Sequence, residues 1–391
     1  MAQFAITAAR ALTPLSEVPN AVVLVADGVI TAVGSREALS IAPGVPVVDG
    51  GDATLVPGFV DVHIHGAGGH DVMEGNPAAL RAVARTIARF GTTSFLPTTV
   101  TAATDTTCRA LHGIAVEIAR WDVKREPTVS AQPLGFHLEG PFISPARRGV
   151  HPPDHIAAPS IALFEQFLEA AAGQVRILTL APELPGAIEL IAAARHRGIE
   201  VGMGHTDATY AQTRAAIAAG AHHAVHLYNA MRPFNHRETG VIGAVLTSPE
   251  VGAEVIADGV HVDDPALRVL LASKGVEQTL LVSDGTAATG MPDGDYKLGP
   301  FEVKVTAGVC RNTEGKLAGS TLTLDRALRN MTALGVPLSD ALRMVTWNPA
   351  RLLGIEKKKG VLAPGADADM VLLDNHLQVR QVFTRGIGTS A

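Results

Sequence analysis

Cysteine is almost missing from this chain: Cys108 and Cys310 stand alone among 391 residues. Two isolated cysteines cannot build a disulfide scaffold or a thiolate zinc site, and their scarcity fits a reducing cytosol. A basic surplus is missing too. Lys+Arg number 32 against 38 Asp+Glu, a formal charge of −6, and no basic stripe runs along the sequence. That argues against a nucleic-acid partner. No apolar run approaches the roughly 18 residues of a membrane span, so no membrane partner is expected. The opening MAQFAITAARALTPLSE lacks a charged segment followed by an apolar one, so a secretory signal is not expected and the cytoplasm is the expected location. Lysine is rare, with eight in all and none before Lys124. The apolar fraction, by contrast, is 47% against 18% charged, enough for large cores and too much for a mainly disordered chain. The glycines and prolines follow no period, which excludes collagen. Length alone suggests two or three domains, or one large barrel with a satellite.

What the sequence does contain is an alternation of strands and helices. Eight apolar strand-like runs are read at 54–65, 93–100, 133–139, 175–183, 200–205, 223–230, 253–259 and 279–285. Between them lie helical segments such as PAALRAVARTIARFG, SIALFEQFLEAAAG, GAIELIAAARHRG, TYAQTRAAIAAG and DDPALRVLLASKG, several closed by the glycine that commonly follows a helix. The fold class is therefore α/β, a (β/α)8 TIM-type barrel. An open doubly wound sheet is the runner-up, but it needs a glycine-rich phosphate loop after its first strand. Here that strand ends in HIHGAGGH, which suits a metal better. Residues 290–318 read as hairpins, followed by helices at 321–334 and 339–353. Residues 1–52 and 356–391 read as one small β-sandwich domain built from both termini, leaving 53–355 as the catalytic barrel. The KKK run at 357–359 is taken as a solvated turn.

Chemistry in such barrels sits where strands end. Metal-ligand residue types recur at six of the eight expected strand ends: His63 and His65, Glu139, His205, His226, Asp258 with His261, and Asp284. Residues i and i+2 of a strand share a face, so His63 and His65 can reach one cation. A buried hydrogen-bonded pair is the bland alternative, and the company of the other strand-end residues argues against it. A glutamate in an apolar strand is costly unless paired or coordinated, which favours Glu139 as a ligand. His137, one pleat deeper, is read as a buried second-layer or core histidine. Imidazole with carboxylate suits Zn2+ or another first-row divalent ion, such as Fe2+, Mn2+ or Co2+. Asp284 could cap a helix, but no clear helix follows until about residue 320, so a ligand or general-base role is preferred. His151, in RRGVHPPDH, and His261 are placed to reach substrate. His70, His112, His137, His155, His196, His222, His223, His236 and His376 are assigned surface or core roles.

The stretches PGFVDVHIHG, GFHLEGPFISPARRGVHPP, GMGHTDATY, HLYNAMRPFNHRETG, IADGVHVD, LVSDGTAATG and LAGSTLTLDRALRNM resemble the N-acetylglucosamine-6-phosphate deacetylases of the amidohydrolase superfamily over about residues 50–355. The resemblance implies that Glu139, His205 and His226 hold a primary metal and that His63 and His65 provide for a second. Asp284 would be the acid/base and His151 would touch the acetamide carbonyl. Asn229 and Ala230 would contact the sugar or phosphate, Leu317, Ala318 and Gly319 would line the sugar site, and Val150 and Asp258 would also bind substrate. Arg237 and His261 would bind the 6-phosphate, in a pocket completed by the partner subunit of a homodimer. Many superfamily members bridge two metals with a carboxylated lysine. No lysine lies at a strand end here, so Glu139 is the natural bridge. The implied reaction is hydrolysis of N-acetylglucosamine 6-phosphate to acetate and glucosamine 6-phosphate. Two other readings stand beside it. A hydrolase of cyclic ureides or dipeptides would not need Arg237 and His261 placed for phosphate. A non-catalytic amino-sugar phosphate sensor would not need Asp284 and the full metal set.

Overall fold

A computed structural model describes residues 3–122 and 128–388. Its centre is a parallel barrel. The strands are β1 (Phe59–Ile64), β2 (Thr92–Thr99), β3 (Phe136–Glu139), β4 (Val175–Leu180), β5 (Glu200–Met203), β6 (His223–Ala224), β7 (Gly252–Val255) and β8 (Thr279–Leu281). Each pairs in parallel with the next. The ring closes where the N–H of Asp284 donates to His63 O (2.9 Å) and that of His65 to Gly285 O (2.8 Å). A short strand, Gln132–Pro133, flanks β2.

Eight helices follow the strands in turn: α1 (Pro77–Ala88), α2 (Thr104–Ala119), α3 (Ile161–Ala170), α4 (Ala187–His196), α5 (Tyr210–Ala219), α6 (Gly240–Thr247), α7 (Asp264–Lys274) and α8 (Leu324–Ala333). Their starts are written locally. Asn76 accepts from Ala79 N–H with Pro77 in the first turn of α1, and Thr209 and Gln212 form a reciprocal capping box at α5. Their apolar faces pack on the strands in one core that includes Phe59, Phe95, Phe136, Leu178 and Leu328.

Strands from both termini share a second sheet of eight strands. Gln3–Leu12, Glu17–Ala26, Val29–Ser35, Val47–Asp49 and Thr54–Pro57 join Met370–Leu373, Val379–Thr384 and Ile387–Gly388. They enclose a core of Ile6, Val23, Ile30, Leu55, Met370 and Phe383. Residues 1–2 and 389–391, included in the terminal unit read from sequence, lie outside the described residues. The 290–318 region is a three-stranded antiparallel sheet, Gly294–Leu298, Phe301–Thr306 and Val309–Asn312.

Four local expectations are corrected. The run 54–65 is two strands: the backbone changes partners at Gly58, whose N–H donates to Asp369 O in the terminal sheet while Phe59 N–H donates to Gly91 O in the barrel. A Cβ at Gly58 would lie 2.1 Å from Thr93 Oγ1, so this crossing admits only glycine. Helices α2 and α6 are not among those the sequence pattern marks. The sequence of α6, GVIGAVLT, is buried over its first six residues and so shows no polar face, while α2 opens on TDTT with no side-chain cap. The helix at 339–353 breaks at Thr346 (φ −129°) into Leu338–Val345 and Trp347–Leu352. The KKK run is not wholly a solvated turn. Lys359 is buried, with its ammonium 2.6 Å from Asp369 Oδ2 and 2.9 Å from Asp367 Oδ2.

Candidate metal centre and active site

The strands deliver their polar residues to one end of the barrel. His63 lies within β1, and His65 one residue beyond it. Glu139 closes β3, while His205, His226 and Asp284 fall in the two or three residues after β5, β6 and β8. Those last three hold left-handed backbone, with φ of 46°, 31° and 48°. Non-glycine residues adopt that region at a cost, and such strain concentrates where side chains must be aimed for function. Here it turns each chain sharply at the mouth and points the side chain inward.

Glu139 is the hub. Its Oε1 lies 3.0 Å from His226 Nε2, 3.2 Å from His205 Nε2 and 3.3 Å from His63 Nε2. Its Oε2 lies 3.3 Å from His65 Nε2 and 3.4 Å from His151 Nε2. Asp284 Oδ1 stands 3.2 Å from His65 Nε2 and 3.7 Å from His63 Nε2. The five metal candidates and Asp284 are therefore brought together, all buried.

The far side of each ring decides what the near side offers. His65 Nδ1 faces Thr98 O at 3.1 Å and His205 Nδ1 faces Arg147 O at 3.1 Å. A carbonyl only accepts, so each Nδ1 carries a proton and each Nε2 is the nitrogen left to take a proton or a cation at the centre. His63 Nδ1 likewise faces Glu254 Oε2 at 3.0 Å, and its Nε2 is buried with no hydrogen-bond partner. The Nε2 atoms of His205 and His226 approach to 3.2 Å. Lone pairs and carboxylates converging in a buried space demand positive charge. The donor set fits one or two divalent cations, with His63, His65 and Asp284 on one side, Glu139, His205 and His226 on the other, and Glu139 reaching both. The titration of the groups points the same way. Burial alone would lower the His65 pKa, yet Asp284 and Glu139 hold it at about 9. Burial would raise the Asp284 and Glu139 carboxyls, but the surrounding imidazoles keep Asp284 below and Glu139 well below ordinary carboxylate values.

His151 is oriented differently. The N–H of Thr101 donates to its Nδ1 (3.3 Å), and the Thr101 hydroxyl stands 2.8 Å away. Its Nε2 therefore carries the proton and presents a donor to the cavity. Burial and the neighbouring His205 depress its pKa to about 4, so the ring is neutral. The cavity, about 180 Å3, is lined by His65, Glu139, Val150, His151, His205, His226, Asn229, Ala230, His261, Asp284, Leu317 and Gly319. Asp258 does not line it but holds His261, accepting from its Nδ1 at 2.7 Å and its backbone N–H at 2.8 Å. Ala318 is buried behind the wall. Gly319, at φ +58°, lies so close to Asp284 that an added Cβ would meet Asp284 O at 2.9 Å. Arg237 stands apart. It is exposed in the loop after β6, its Nη1 3.1 Å from His236 Nε2, and it does not line the cavity. A larger cleft of about 1100 Å3, under the 294–312 sheet, is lined by Asp71, Tyr296 and Lys304 and by none of these histidines.

Sequence reasoning passed over Glu254, Thr98 and Thr101. Glu254 was detectable, because it is a glutamate in an apolar strand, the argument already applied to Glu139. The two threonines carry no such signal: one supplies a backbone carbonyl and the other a common side chain. His137 is satisfied on both nitrogens, by Val62 O at 3.0 Å and Thr179 Oγ1 at 2.7 Å.

Residues 54–387 match the Amidohydrolase family. The chain belongs to that family. It is 41% identical over 93% of its length, and 93% of the relative's, to an N-acetylgalactosamine-6-phosphate deacetylase of Escherichia coli O157:H7. It is 36% identical, over 88% of each chain, to an N-acetylglucosamine-6-phosphate deacetylase of Lysinibacillus sphaericus. The crystal structure of N-acetyl-D-glucosamine-6-phosphate deacetylase from Mycobacterium smegmatis superposes with a TM-score of 0.90 at 37% identity, covering 99% of this chain and 100% of that one.

Proposed function

We propose that this amidohydrolase removes the acetyl group of N-acetylglucosamine 6-phosphate, giving acetate and glucosamine 6-phosphate. The observation that carries the reading is the meeting, in one cavity, of a carboxylate (Asp284), a ring N–H donor (His151 Nε2) and a set of ligand lone pairs. The relatives' names supply the substrate.

The ligand set would hold one or two divalent cations, Zn2+ by the mixture of imidazole and carboxylate. A cation so held acidifies water and polarises a carbonyl. The chain's own groups do the rest. His151 donates its Nε2–H to the acetamide oxygen, where negative charge develops. Asp284 accepts the proton of the attacking water and returns it to the departing nitrogen, because an amide nitrogen leaves poorly unprotonated. Asn229, the backbone of Ala230, and the wall of Val150, Leu317, Ala318 and Gly319 hold the sugar. His261, fixed by Asp258, and Arg237 receive the phosphate. Arg237 is exposed in its own chain and neighbours Phe234, which is 56% exposed. That supports a homodimer in which this loop completes the partner's phosphate site. Scarce cysteine supports a cytoplasmic setting, and no helix among the described residues is long and apolar enough to cross a membrane.

The 41% relative favours a second substrate, the C4 epimer N-acetylgalactosamine 6-phosphate. Acetate release from both 6-phosphates and from unphosphorylated N-acetylglucosamine tests the reading. Turnover of at least one 6-phosphate, with the free sugar poor, is expected. No acetate release from either 6-phosphate by metal-replete protein would refute it.

A further inference from the structure

The proposed mechanism makes no use of Glu254, yet it is the most enclosed carboxylate near the mouth. It sits in β7 between Ala253 and Val255 with no exposed surface. An apolar strand facing an apolar core has no packing need for a glutamate, and a buried carboxylate is unfavourable without partners. Glu254 has three. Its Oε2 accepts from His63 Nδ1 at 3.0 Å and from the backbone N–H of His226 at 3.3 Å. Its Oε1 accepts from His223 Nε2 at 2.7 Å. His223 is itself fully buried, and its Nδ1 has no partner, so among the described residues its ring is held on the polar side by Glu254 alone.

The candidate ligands differ in what stands behind them. His65 and His205 are backed by neutral backbone carbonyls, and His226 Nδ1 has no hydrogen-bond partner. Of these four candidate ligand histidines, only His63 is backed by a carboxylate among the described residues. A carboxylate behind an imidazole fixes its tautomer and raises the basicity of the opposite nitrogen. The opposite nitrogen here is Nε2, aimed at Glu139 and Asp284.

We propose that Glu254, buttressed by His223, is a positioning residue that makes His63 a strong ligand and thereby sets occupancy of the cation site formed with His65 and Asp284. The site of Glu139, His205 and His226 receives only a backbone contact from Glu254 and is filled without it. The inference rests on the metal-binding reading above, though not on the identity of the substrate.

The test is titration of metal-free protein with Zn2+ against a chelating indicator, which needs no substrate. Wild type should bind two ions per chain. Glu254→Gln, close to isosteric, should leave the tighter ion unchanged and weaken the second by about 10- to 100-fold, the usual range for losing an outer-layer partner of a ligand. His63→Asn should lose the second ion, and adding Glu254→Gln to it should change nothing further in metal binding, because Glu254 acts through His63. His223→Asn should weaken the second ion to a lesser degree, and serves if Glu254→Gln does not fold, as judged by the circular dichroism of the metal-free protein. Equal weakening of both ions in Glu254→Gln, unchanged binding of both, a further loss in the double variant, or a single ion in wild type would each overturn the proposal. Deacetylation by the same wild-type preparation is read separately. Two bound ions without acetate release refute the proposed reaction and leave the role of Glu254 standing.

Discussion

Two buried charge clusters lie in this molecule, and they are built on opposite plans. In the terminal sheet region, Lys359 donates to Asp369 Oδ2 (2.6 Å) and Gln132 Oε1 (2.9 Å) and pairs with Asp367 (2.9 Å). The other oxygen of Asp369 accepts the N–H of Arg385 at 2.7 Å. Every charge there has its opposite within the chain. At the barrel mouth, Glu139 and Asp284 face imidazole nitrogens, and among the described residues no lysine or arginine pairs with either. The first cluster is complete and holds structure together. The second is complete only when a cation arrives, and that difference separates a structural cluster from a working one more reliably than burial or residue type.

Substitutions at either cluster test this difference. Glu139→Gln removes the hub that reaches both ligand groups, and it should abolish metal binding and activity together, by elemental analysis and acetate release. Retention of both would show that the hub is dispensable. Asp284→Asn should keep the fold and at least one ion while kcat falls about 10²–10⁴-fold, the usual share of a general acid–base. A wild-type kcat would leave Asp284 with a supporting role only. Lys359→Met attacks the complete cluster: it leaves Asp369 buried without a charged partner and Asp367 with only the Arg385 guanidinium, at 3.5 Å. Denaturant unfolding should show a loss of about 3–5 kcal/mol, with metal content and kcat per folded molecule unchanged. Lost metal with intact stability would erase the distinction between the clusters. The smallest effect is expected at the rim. Arg237→Ala should lower kcat/KM for the 6-phosphate about 10- to 100-fold, from roughly 1.5–3 kcal/mol for a hydrogen bond to a charged group. Hydrolysis of the free sugar should barely change. Mixing Arg237→Ala with Asp284→Asn should restore activity if the loop serves the partner's site, and no recovery would place Arg237 in its own chain's pocket.

The mouth was legible because strand geometry is periodic. His63 and His65 sit two apart and share a face, and Glu139 stood out as a costly carboxylate in an apolar strand. Asp284 was legible through the absence of a helix to cap, and α8 indeed begins only at Leu324. The barrel followed from eight apolar runs, although α6 hid because its buried surface has no polar side. Long-range pairing was not legible. The lysine run reads as solvent-exposed until folding brings Asp367 and Asp369 to Lys359. Glu254 gave its local signal, but its partners His63 and His223 lie 191 and 31 residues away along the chain. The exposure of Arg237 depends on the loop after β6, whose course no periodicity encodes.

The barrel-mouth cluster works with a metal cation that its imidazoles and carboxylates would hold. The most direct measurement is acetate release from N-acetylglucosamine 6-phosphate by one preparation, followed through removal of metal with a chelator and readdition of Zn2+. Turnover should be lost with the metal while the fold persists, and should recover in step with bound Zn2+. Full activity in protein shown by elemental analysis to be metal-free would contradict it.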